Sequence, residues 1–384
     1  MNRAIVLIAI CSALVGTSYG MHSPIVPVFA REELTADYSQ VGLIGTANYV
    51  PYMFAPFLVG ILLDRLNKSY VLLSGILINV FSIFMLSTVQ STLEIVLYRA
   101  LAGVAHALFW PSSEVLTSIN SSSETRVKNI SMFIGAWILG FMVGPLIGKL
   151  ILNLFDYYAL FQLAAASMAI AIVPSLLLRS YGWPRVQEVQ QVQSSPIQVL
   201  KEITNHPKLG GVILYYAITF GVVLAVYPAY MRDLYLTTED IELMFFFFGL
   251  SRFATLMFLV SRISRYNEIA LSLAVLATAV GMLMSFLSPS FLSFAVSIAL
   301  FGLSTSIFYP VSFSLVTRDT PSEYVGSKLG VYNTLFGVGW TAGPIMTGFA
   351  SDAFGSGSPY LAFSIIGIMF ASTIVLFRKD DNHF

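Results

Sequence analysis

The stretch RALAGVAHALFWPSSEVLTSINSSSETRVKNISMFIGAWILGFMVGPLIG, residues 99–148, decides how this chain is organised, because the chain contains it twice. The second copy lies 199 residues later, so Gly103 corresponds to Gly302 and Pro111 to Pro310. The same offset, without a gap, pairs Phe109, Ser113, Leu116, Ser123, Glu124, Gly140, Gly144 and Pro145 with Phe308, Ser312, Leu315, Ser322, Glu323, Gly339, Gly343 and Pro344, and aligns Trp110 with Tyr309. An internal repeat of this length predicts two halves with the same architecture.

The composition is that of an integral membrane protein. Of the 384 residues, 57% are hydrophobic and only 10% are charged, whereas a soluble domain carries about 25% charge. Helices are expected, because lipid requires backbone groups to be paired within the spanning segment. The apolar run from Ala4 to Phe29 exceeds the ~20 residues of a spanning helix, which argues against a cleaved signal peptide. The zero net charge implies no nucleic-acid partner, and the single Cys11 is expected to be buried.

Hydropathy predicts twelve transmembrane helices. They cover 4–29, 40–63, 69–89, 92–117, 129–152 and 158–178 in the first half, and 208–231, 241–262, 268–287, 290–316, 327–350 and 359–377 in the second. The fold class is therefore all-α integral membrane, with two parallel-repeat six-helix bundles. The predicted domains are an N-terminal bundle, 1–178, a polar cytoplasmic linker, 179–206, and a C-terminal bundle, 207–384.

The positive charges orient these helices. With a cytoplasmic N-terminus, fifteen of the twenty Lys and Arg residues fall on cytoplasmic segments: Arg3, Arg65, Lys68, Arg126, Lys128, Arg179, Arg185, Lys201, Lys208, Arg262, Arg265, Arg318, Lys328, Arg378 and Lys379. This is the distribution that the positive-inside rule expects. We therefore expect a multi-pass protein of the cell membrane with both termini in the cytoplasm, working as a monomer.

Four short motifs accompany this topology and resemble those of the major facilitator superfamily. They are Gly60-x-x-x-Asp64-Arg65-x-Asn67-Lys68 after the second helix, Arg99-x-x-x-Gly103 in the fourth, Gly140-x-x-x-Gly144-Pro145-x-x-Gly148 in the fifth, and Pro24-x-x-Pro27 in the first. The third resembles a Gly-Pro motif found mainly in exporters, and the last resembles a motif of the twelve-helix drug:proton antiporter branch. Asn67 replaces a glycine of the family pattern, and both residues tolerate a left-handed turn.

The resemblance assigns conformational roles to two of these motifs. In the family, the aspartate matching Asp64 contacts the eleventh helix and latches the halves on the cytoplasmic face, and the alternative is that Asp64, Arg65 and Lys68 only form a solvated, charged loop. Gly140, Gly144 and Gly148 share one helix face, which permits close helix approach. That face, with Pro145 and the copies Gly339, Gly343 and Pro344, is either a seam between the halves that governs opening or ordinary small-residue packing.

The fourth helix carries the strongest candidate for substrate or proton chemistry. Arg99, Gly103, His106, Trp110 and Glu114 lie on one stripe, and a charge within the bilayer is costly unless it faces a cavity or another helix. His22, His106 and Glu114 are the candidates for proton coupling, since no aspartate lies deep in a helix. The histidines could instead be packing residues, and Arg99 could snorkel to the interface or make a structural pair.

Further polar and aromatic side chains complete the expected substrate site. Arg252 is taken as the only intramembrane charge of the second half. The other candidates are Tyr19, Asn48, Tyr49, Tyr216, Tyr227, Tyr309, Asn333 and Trp340. No P-loop, metal-ligand cluster or nucleophile–base pair is present, so neither an enzyme nor a bound cofactor is expected.

The sequence therefore predicts a secondary transporter that moves a small molecule by alternating access. Export of apolar or amphipathic compounds coupled to protons is favoured by the Gly-Pro motif and the aromatic residues. Uptake of a small polar or anionic solute is the alternative, favoured by Arg99 and Arg252. A membrane sensor that binds without transport is a further alternative from another class, although the short tails offer no output domain.

Overall fold

The structure is a computed structural model that describes residues 2–122, 124–182, 207–263, 267–287, 289–317 and 325–376, and in these ranges every regular element is a helix. The α-helices are α1 Arg3–His22, α2 Val26–Leu34, α3 Tyr38–Arg65, α4 Lys68–Met85, α5 Thr92–Ile119, α6 Arg126–Leu154, α7 Tyr157–Ile170, α8 Ile172–Leu177, α9 Pro207–Ala225, α10 Tyr227–Asp233, α11 Thr238–Phe258, α12 Val260–Ile263, α13 Asn267–Leu287, α14 Phe291–Thr317, α15 Val325–Phe354 and α16 Ser358–Leu376. Short 3-10 turns cover Leu86–Thr88 and Leu178–Tyr181.

Nine helical segments in the described ranges are long and apolar enough to cross a membrane, and Ser358–Ile374 is a shorter apolar helix. Helices α3 and α15, with 28 and 30 residues, coincide with two further predicted spans. Within the described residues the structure thus confirms the all-helical fold, and nine of its helical segments could span a membrane by length and composition, whereas the count of twelve spans stays a prediction.

Proline explains where three predicted segments break into two helices. The run 4–29 is interrupted at Ser23–Ile25 before Pro27, the run 158–178 at Ala171 before Pro174, and the run 208–231 at Val226 before Pro228. Proline lacks the N–H that a helix needs and clashes with the carbonyl four residues earlier. By contrast, Pro111, Pro145, Pro310 and Pro344 lie inside helices that continue past them.

The chain divides into two compact units. Unit 1 contains Met1–Ala36, Leu43–Glu188 and Thr237–Gly249, and unit 2 contains Asp37–Gly42, Val189–Leu236 and Leu250–Phe384. In unit 1, α1 packs along α6, and α4 packs on α5 and α7. In unit 2, α9 packs along α15, and α13 packs on α14 and α16. These pairings correspond one to one under the 199-residue repeat, so both copies build the same helix arrangement.

The glycine face of α6 lies inside unit 1, where it packs against α1. A Cβ on Gly140 would overlap the backbone of Ala13 and Thr17, and one on Gly144 would overlap Thr17 and Gly20. Helix α1 supplies matching small residues at Gly16 and Gly20, which meet the backbone of α6 in turn. Two such faces allow the helix backbones to approach closely.

The copied face on α15 packs in the same way within unit 2. Gly339 meets Ala217 and Ile218 of α9, and Gly343 meets the backbone of Ile218. We expected Gly140, Gly144, Gly339 and Gly343 to form a seam between the two halves. This expectation is wrong, because each of these glycines contacts another helix of its own unit. Gly148 is different, since it faces the side chain of Glu242.

Candidate functional site

A cluster of polar side chains is buried in the middle of unit 1. We call it the Tyr19 cluster, and its members are Tyr19 and His22 on α1, Asn48 and Tyr49 on α3, Asn79 on α4, and Arg99 and His106 on α5. Six of the seven were predicted from the sequence, and Asn79 was not. A Cβ on Gly103 would collide with the Asn48 backbone, so this glycine lets α5 come close enough to α3 to bring the members together.

The ring of Tyr19 lies at the centre of the cluster. Its centroid is 4.7 Å from that of His106 and 5.5 Å from that of His22, with both pairs in edge-on geometry. The guanidinium carbon of Arg99 lies 5.9 Å from the same centroid, within cation–π range. Asn48 donates from Nδ2 to the Tyr19 hydroxyl over 3.3 Å. One aromatic ring thus contacts both predicted histidines and the buried arginine.

Each histidine of the cluster also has a specific hydrogen-bond partner. Nδ1 of His22 lies 2.6 Å from the carbonyl oxygen of Ser18, which can only accept, so this nitrogen carries the hydrogen. Nε2 of His106 lies 3.4 Å from Nδ2 of Asn79, an amide donor, so this nitrogen accepts. The two contacts orient the rings, and whether either histidine carries protons stays a prediction.

Arg99 retains unused hydrogen-bonding capacity. Its side chain is 4% exposed, and neither Nε nor Nη1 has a hydrogen-bond partner within the described residues. The Oδ1 atom of Asn48 is likewise buried without a partner there. Buried polar groups normally have partners, and an unpaired buried cation is costly. The cluster therefore presents two donors and one acceptor to any molecule that reaches it.

Aromatic side chains of α5 and α6 extend the cluster. Trp137 and Phe141 lie 6.3 and 6.2 Å from Tyr19, measured between ring centroids, and stack on each other at 5.1 Å. Trp110, half-buried, lies 5.5 Å from Trp137. Glu114, the last member of the predicted stripe, is exposed and lies outside the cluster. The sequence predicted Trp110 but not Trp137 and Phe141, although these two lie one turn apart on the glycine-bearing helix.

Unit 2 places an aromatic cluster at the corresponding position. Tyr216 of α9 stacks on Phe308 of α14 with a centroid distance of 3.7 Å and an interplanar angle of 5°. Phe336 contacts this pair and also Trp340, 5.9 Å away in perpendicular geometry. Arg252 is half-buried and close enough to Tyr216 to interact electrostatically. The second copy thus repeats the aromatic packing with a single cation.

The other predicted residues of unit 2 have different environments. Tyr227 is fully buried, and its hydroxyl hydrogen-bonds Ser285 and Ser297, an arrangement typical of a core residue. Tyr309 and Asn333 are exposed. Their roles as substrate ligands stay predictions.

The predicted cytoplasmic latch lies largely outside the described residues. The surroundings of Gly60, the side chain of Asp64 and the side chains at the start of α15 are not described. Arg65 is exposed, whereas Lys68 is buried. Asn67 has extended φ and ψ angles of −63° and 120° and caps α4 by accepting from the Ser69 N–H, so it does not use the left-handed conformation that asparagine and glycine both tolerate.

A carboxylate–helix contact does occur in unit 2, at the other end of these helices. Asp352, near the C-terminus of α15, accepts hydrogen bonds from the backbone N–H groups of Tyr38 and Ser39 at 3.1 and 2.7 Å. The Ser39 hydroxyl donates to the same carboxylate at 2.5 Å. Asp352 thus satisfies the free N–H groups at the start of α3, where the helix dipole also favours negative charge. The sequence analysis did not identify it.

Glu242 is the principal residue that the sequence analysis missed. It lies on α11, is 0% exposed, and has no hydrogen-bond partner on either carboxylate oxygen among the described residues. Glu242 lies together with Arg252 in the apolar helical segment Thr238–Phe258, so Arg252 is not the only charged residue of that segment. The position of Glu242 one residue inside a predicted span, 241–262, made it resemble an interfacial carboxylate. In the described ranges, no group of three or more His, Cys, Asp and Glu side chains is placed to hold a metal ion.

A family model and a similar sequence assign this chain to the same protein family. The model of the Major Facilitator Superfamily matches residues 8–227 and 209–383. An uncharacterised transporter of this type from Methanocaldococcus jannaschii is 21% identical over 356 residues, which cover 91% of this chain and 92% of that protein. The quinolone resistance protein NorA of Staphylococcus aureus is 24% identical over 222 residues, or 58% of this chain and 56% of NorA.

Solved structures share the fold at low sequence identity. A single-substitution variant of the nucleoside transporter NupG superposes with a TM-score of 0.82 and 14% identity, covering 98% of this chain and 100% of that one.

Proposed function

Because this chain belongs to the Major Facilitator Superfamily, we propose that it exports amphipathic aromatic compounds in exchange for protons by alternating access. The membership itself makes it a multi-pass membrane transporter that carries small molecules. The proposal adds the chemical class of the substrate, the direction of transport and the coupling ion. It also places the protein in the cell membrane with both termini in the cytoplasm.

We infer the substrate class from Arg99. Its Nε and Nη1 atoms have no hydrogen-bond partner within the described residues, and its guanidinium lies beside the aromatic ring of Tyr19. A ligand with a carboxylate or another acceptor group would satisfy Nε and Nη1, and a charge-assisted hydrogen bond of this kind contributes ~1.5–3 kcal/mol. The rings of Tyr19, Trp137 and Phe141 would cover an aromatic part of the same ligand. These requirements together describe an amphipathic aromatic compound with one acceptor group.

The direction of transport is supported by the motifs and by relatives. The Gly140–Gly148 motif resembles the one associated with exporters, and the Pro24-x-x-Pro27 pattern lies at the junction of α1 and α2. Two similar proteins of Staphylococcus aureus are named for quinolone resistance and multidrug efflux. Uptake of a small anionic solute is the second candidate, and the two intramembrane arginines, Arg99 and Arg252, favour it.

Two fluorescent probes test the proposal in proteoliposomes with an acidic interior. Ciprofloxacin is an aromatic amphiphile with a carboxylate, whereas ethidium is an aromatic cation without one. We expect the wild-type protein to accumulate ciprofloxacin beyond the level of protein-free liposomes, and a protonophore to abolish the difference. Arg99→Gln should lower ciprofloxacin transport roughly 10- to 100-fold, because each 1.4 kcal/mol is a factor of ten.

Ethidium transport should change much less in Arg99→Gln, since ethidium offers no acceptor to the guanidinium. The matched control is Arg126→Gln, which removes an exposed arginine from the same unit. Ciprofloxacin transport that ignores the pH gradient would overturn proton coupling, and equal loss for both probes would overturn the assigned role of Arg99. Transport of small anions such as benzoate in preference to both probes would favour the second candidate.

A further inference from the structure

Glu242 lies where a charged carboxylate is poorly stabilised. Its Oε1 atom rests against Gly148 of α6, where the absent side chain leaves room for it, and the carbonyl of Met21 on α1 borders the same glycine. The carboxyl is completely buried, and neither oxygen receives a hydrogen bond within the described residues. The surrounding contacts therefore provide space but no donor.

Within the part of the chain that the structure describes, no charged side chain pairs with this carboxyl. The elements around it carry the following other titratable or charged residues: Arg3, Cys11, Tyr19 and His22 on α1, Arg31, Glu32 and Glu33 on α2, Arg126, Lys128 and Lys149 on α6, Tyr157 and Tyr158 on α7, and Glu239, Asp240 and Arg252 on α11 itself. One turn earlier on α11, the Thr238 hydroxyl is within hydrogen-bond distance of Tyr157, which also donates to Glu32. None of these groups hydrogen-bonds or pairs with the carboxyl of Glu242 in the described structure.

The segment that carries Glu242 is held mainly by apolar and small-residue contacts. Residues Thr237–Gly249 belong to unit 1, although α11 continues beyond them. Gly249 packs against Met142 of α6, and the ring centroid of Phe248 lies 6.2 Å from that of Phe141. We name residues 237–249 the α11 entry segment.

We propose that Glu242 is a proton-binding site whose protonation keeps the α11 entry segment packed on α6, and whose ionisation releases it. A buried carboxylate without a partner is strongly disfavoured, whereas the neutral acid loses far less on leaving water. Release would return the ionised carboxyl to water. The inference deepens the proposed proton-coupled transport and rests on it, but it assigns coupling to Glu242 rather than to His22, His106 or Glu114.

Hydrogen–deuterium exchange tests the segment without any substrate. The purified protein in nanodiscs is labelled with deuterium at several pH values between 5.5 and 8.5. The labelling times are adjusted for the pH dependence of intrinsic amide exchange. In the wild type, we expect exchange of residues 237–249 to accelerate at least ten-fold from low to high pH. Glu242→Gln, which mimics the protonated acid, should stay slow throughout, while the control Glu239→Gln should behave like the wild type.

A second variant keeps the test valid if Glu242→Gln folds poorly. Gly148→Ala places a methyl group where Oε1 lies, and it should speed exchange of the segment at least three-fold at low pH. Gly135→Ala on the same helix is its control, because a Cβ there meets no atom within 4 Å. Exchange that is independent of pH in the wild type, or equally pH-dependent in Glu242→Gln, would overturn the proposal.

Transport measurements separate this proposal from the proposed function. Glu242→Gln should retain ciprofloxacin counterflow without a pH gradient and lose accumulation driven by the gradient. If the wild type transports neither ciprofloxacin nor ethidium, the export proposal fails, and the exchange measurement still decides whether Glu242 controls the segment. If gradient-driven accumulation survives in Glu242→Gln, the coupling role of Glu242 is wrong while export stands.

Discussion

Asn79 shows how one polar side chain organises the Tyr19 cluster. It is buried on α4 and offers its amide Nδ2 to Nε2 of His106. The Ser82 hydroxyl donates to the Asn79 backbone carbonyl at 3.0 Å and to its Oδ1 at 3.5 Å, an arrangement that leaves Nδ2 for the histidine. The orientation of His106 toward Tyr19 therefore depends on a neighbour from a different helix.

Replacing Asn79 with leucine should destabilise the protein, because Nε2 of His106 would be buried without a partner. An unsatisfied buried polar atom costs ~1–3 kcal/mol. We expect a lower midpoint in thermal unfolding of the detergent-solubilised protein. Asn333→Leu, at an exposed position, is the matched control and should leave the midpoint unchanged. Equal midpoints for the wild type and Asn79→Leu would show that the contact with His106 contributes nothing.

Individual residues also show what the sequence could and could not provide. The steps of four and three between Arg99, Gly103 and His106 placed them on one face of α5, and the structure buries all three in unit 1. Glu242 escaped notice because burial at a helix end depends on what packs there, and here that is Gly148, 94 residues earlier in the chain (242 − 148). Local sequence carries no signal for such a contact.

At the level of elements, the pairing of α1 with α6 depends on glycines from both helices. Gly20 on α1 faces Gly144 on α6, and Gly16 and Gly140 each meet the backbone of the opposite helix. The spacing of the glycines on α6, together with their repeat at Gly339 and Gly343, predicted that this helix has a small-residue face. It could not identify the partner helix, because a small-residue face predicts close approach without stating to what.

Gly140→Val should disrupt this pairing, since its side chain would overlap the backbone of Ala13 and Thr17. Overpacking typically costs ~1–3 kcal/mol, and backbone neighbours cannot rotate away. We expect a lower thermal unfolding midpoint and faster deuterium exchange in both α1 and α6. Gly135→Val adds the same side chain into open space on α6 and should match the wild type in both measurements. A normal midpoint for Gly140→Val would mean that the two helices are less closely packed than described.

Across the whole molecule, the repeat preserved packing and changed chemistry. The pairs α1–α6, α4–α5 and α4–α7 of unit 1 recur as α9–α15, α13–α14 and α13–α16 of unit 2. At the aligned positions, Arg99 is matched by Ile298 and His106 by Thr305. Hydropathy and spacing predicted the shared helical plan because they reflect what a bilayer requires of any helix. The polar cluster differs between the copies, so the repeat did not predict its members.

The orientation in the membrane is a property of the whole chain and can be tested with single cysteines. Cys11 is buried, so a Cys11→Ser background provides a protein without reactive thiols. Tyr235, in the connection between α10 and α11, is 93% exposed, and Glu124, between α5 and α6, is also exposed. With cytoplasmic termini, a membrane-impermeant maleimide added to intact cells should label Tyr235→Cys and should reach Glu124→Cys only after permeabilisation. The bias of Lys and Arg toward the predicted cytoplasmic loops requires this result, because positively charged loops are retained on that side. The reverse labelling pattern would invert the topology and, with it, the direction of transport inferred from the motifs.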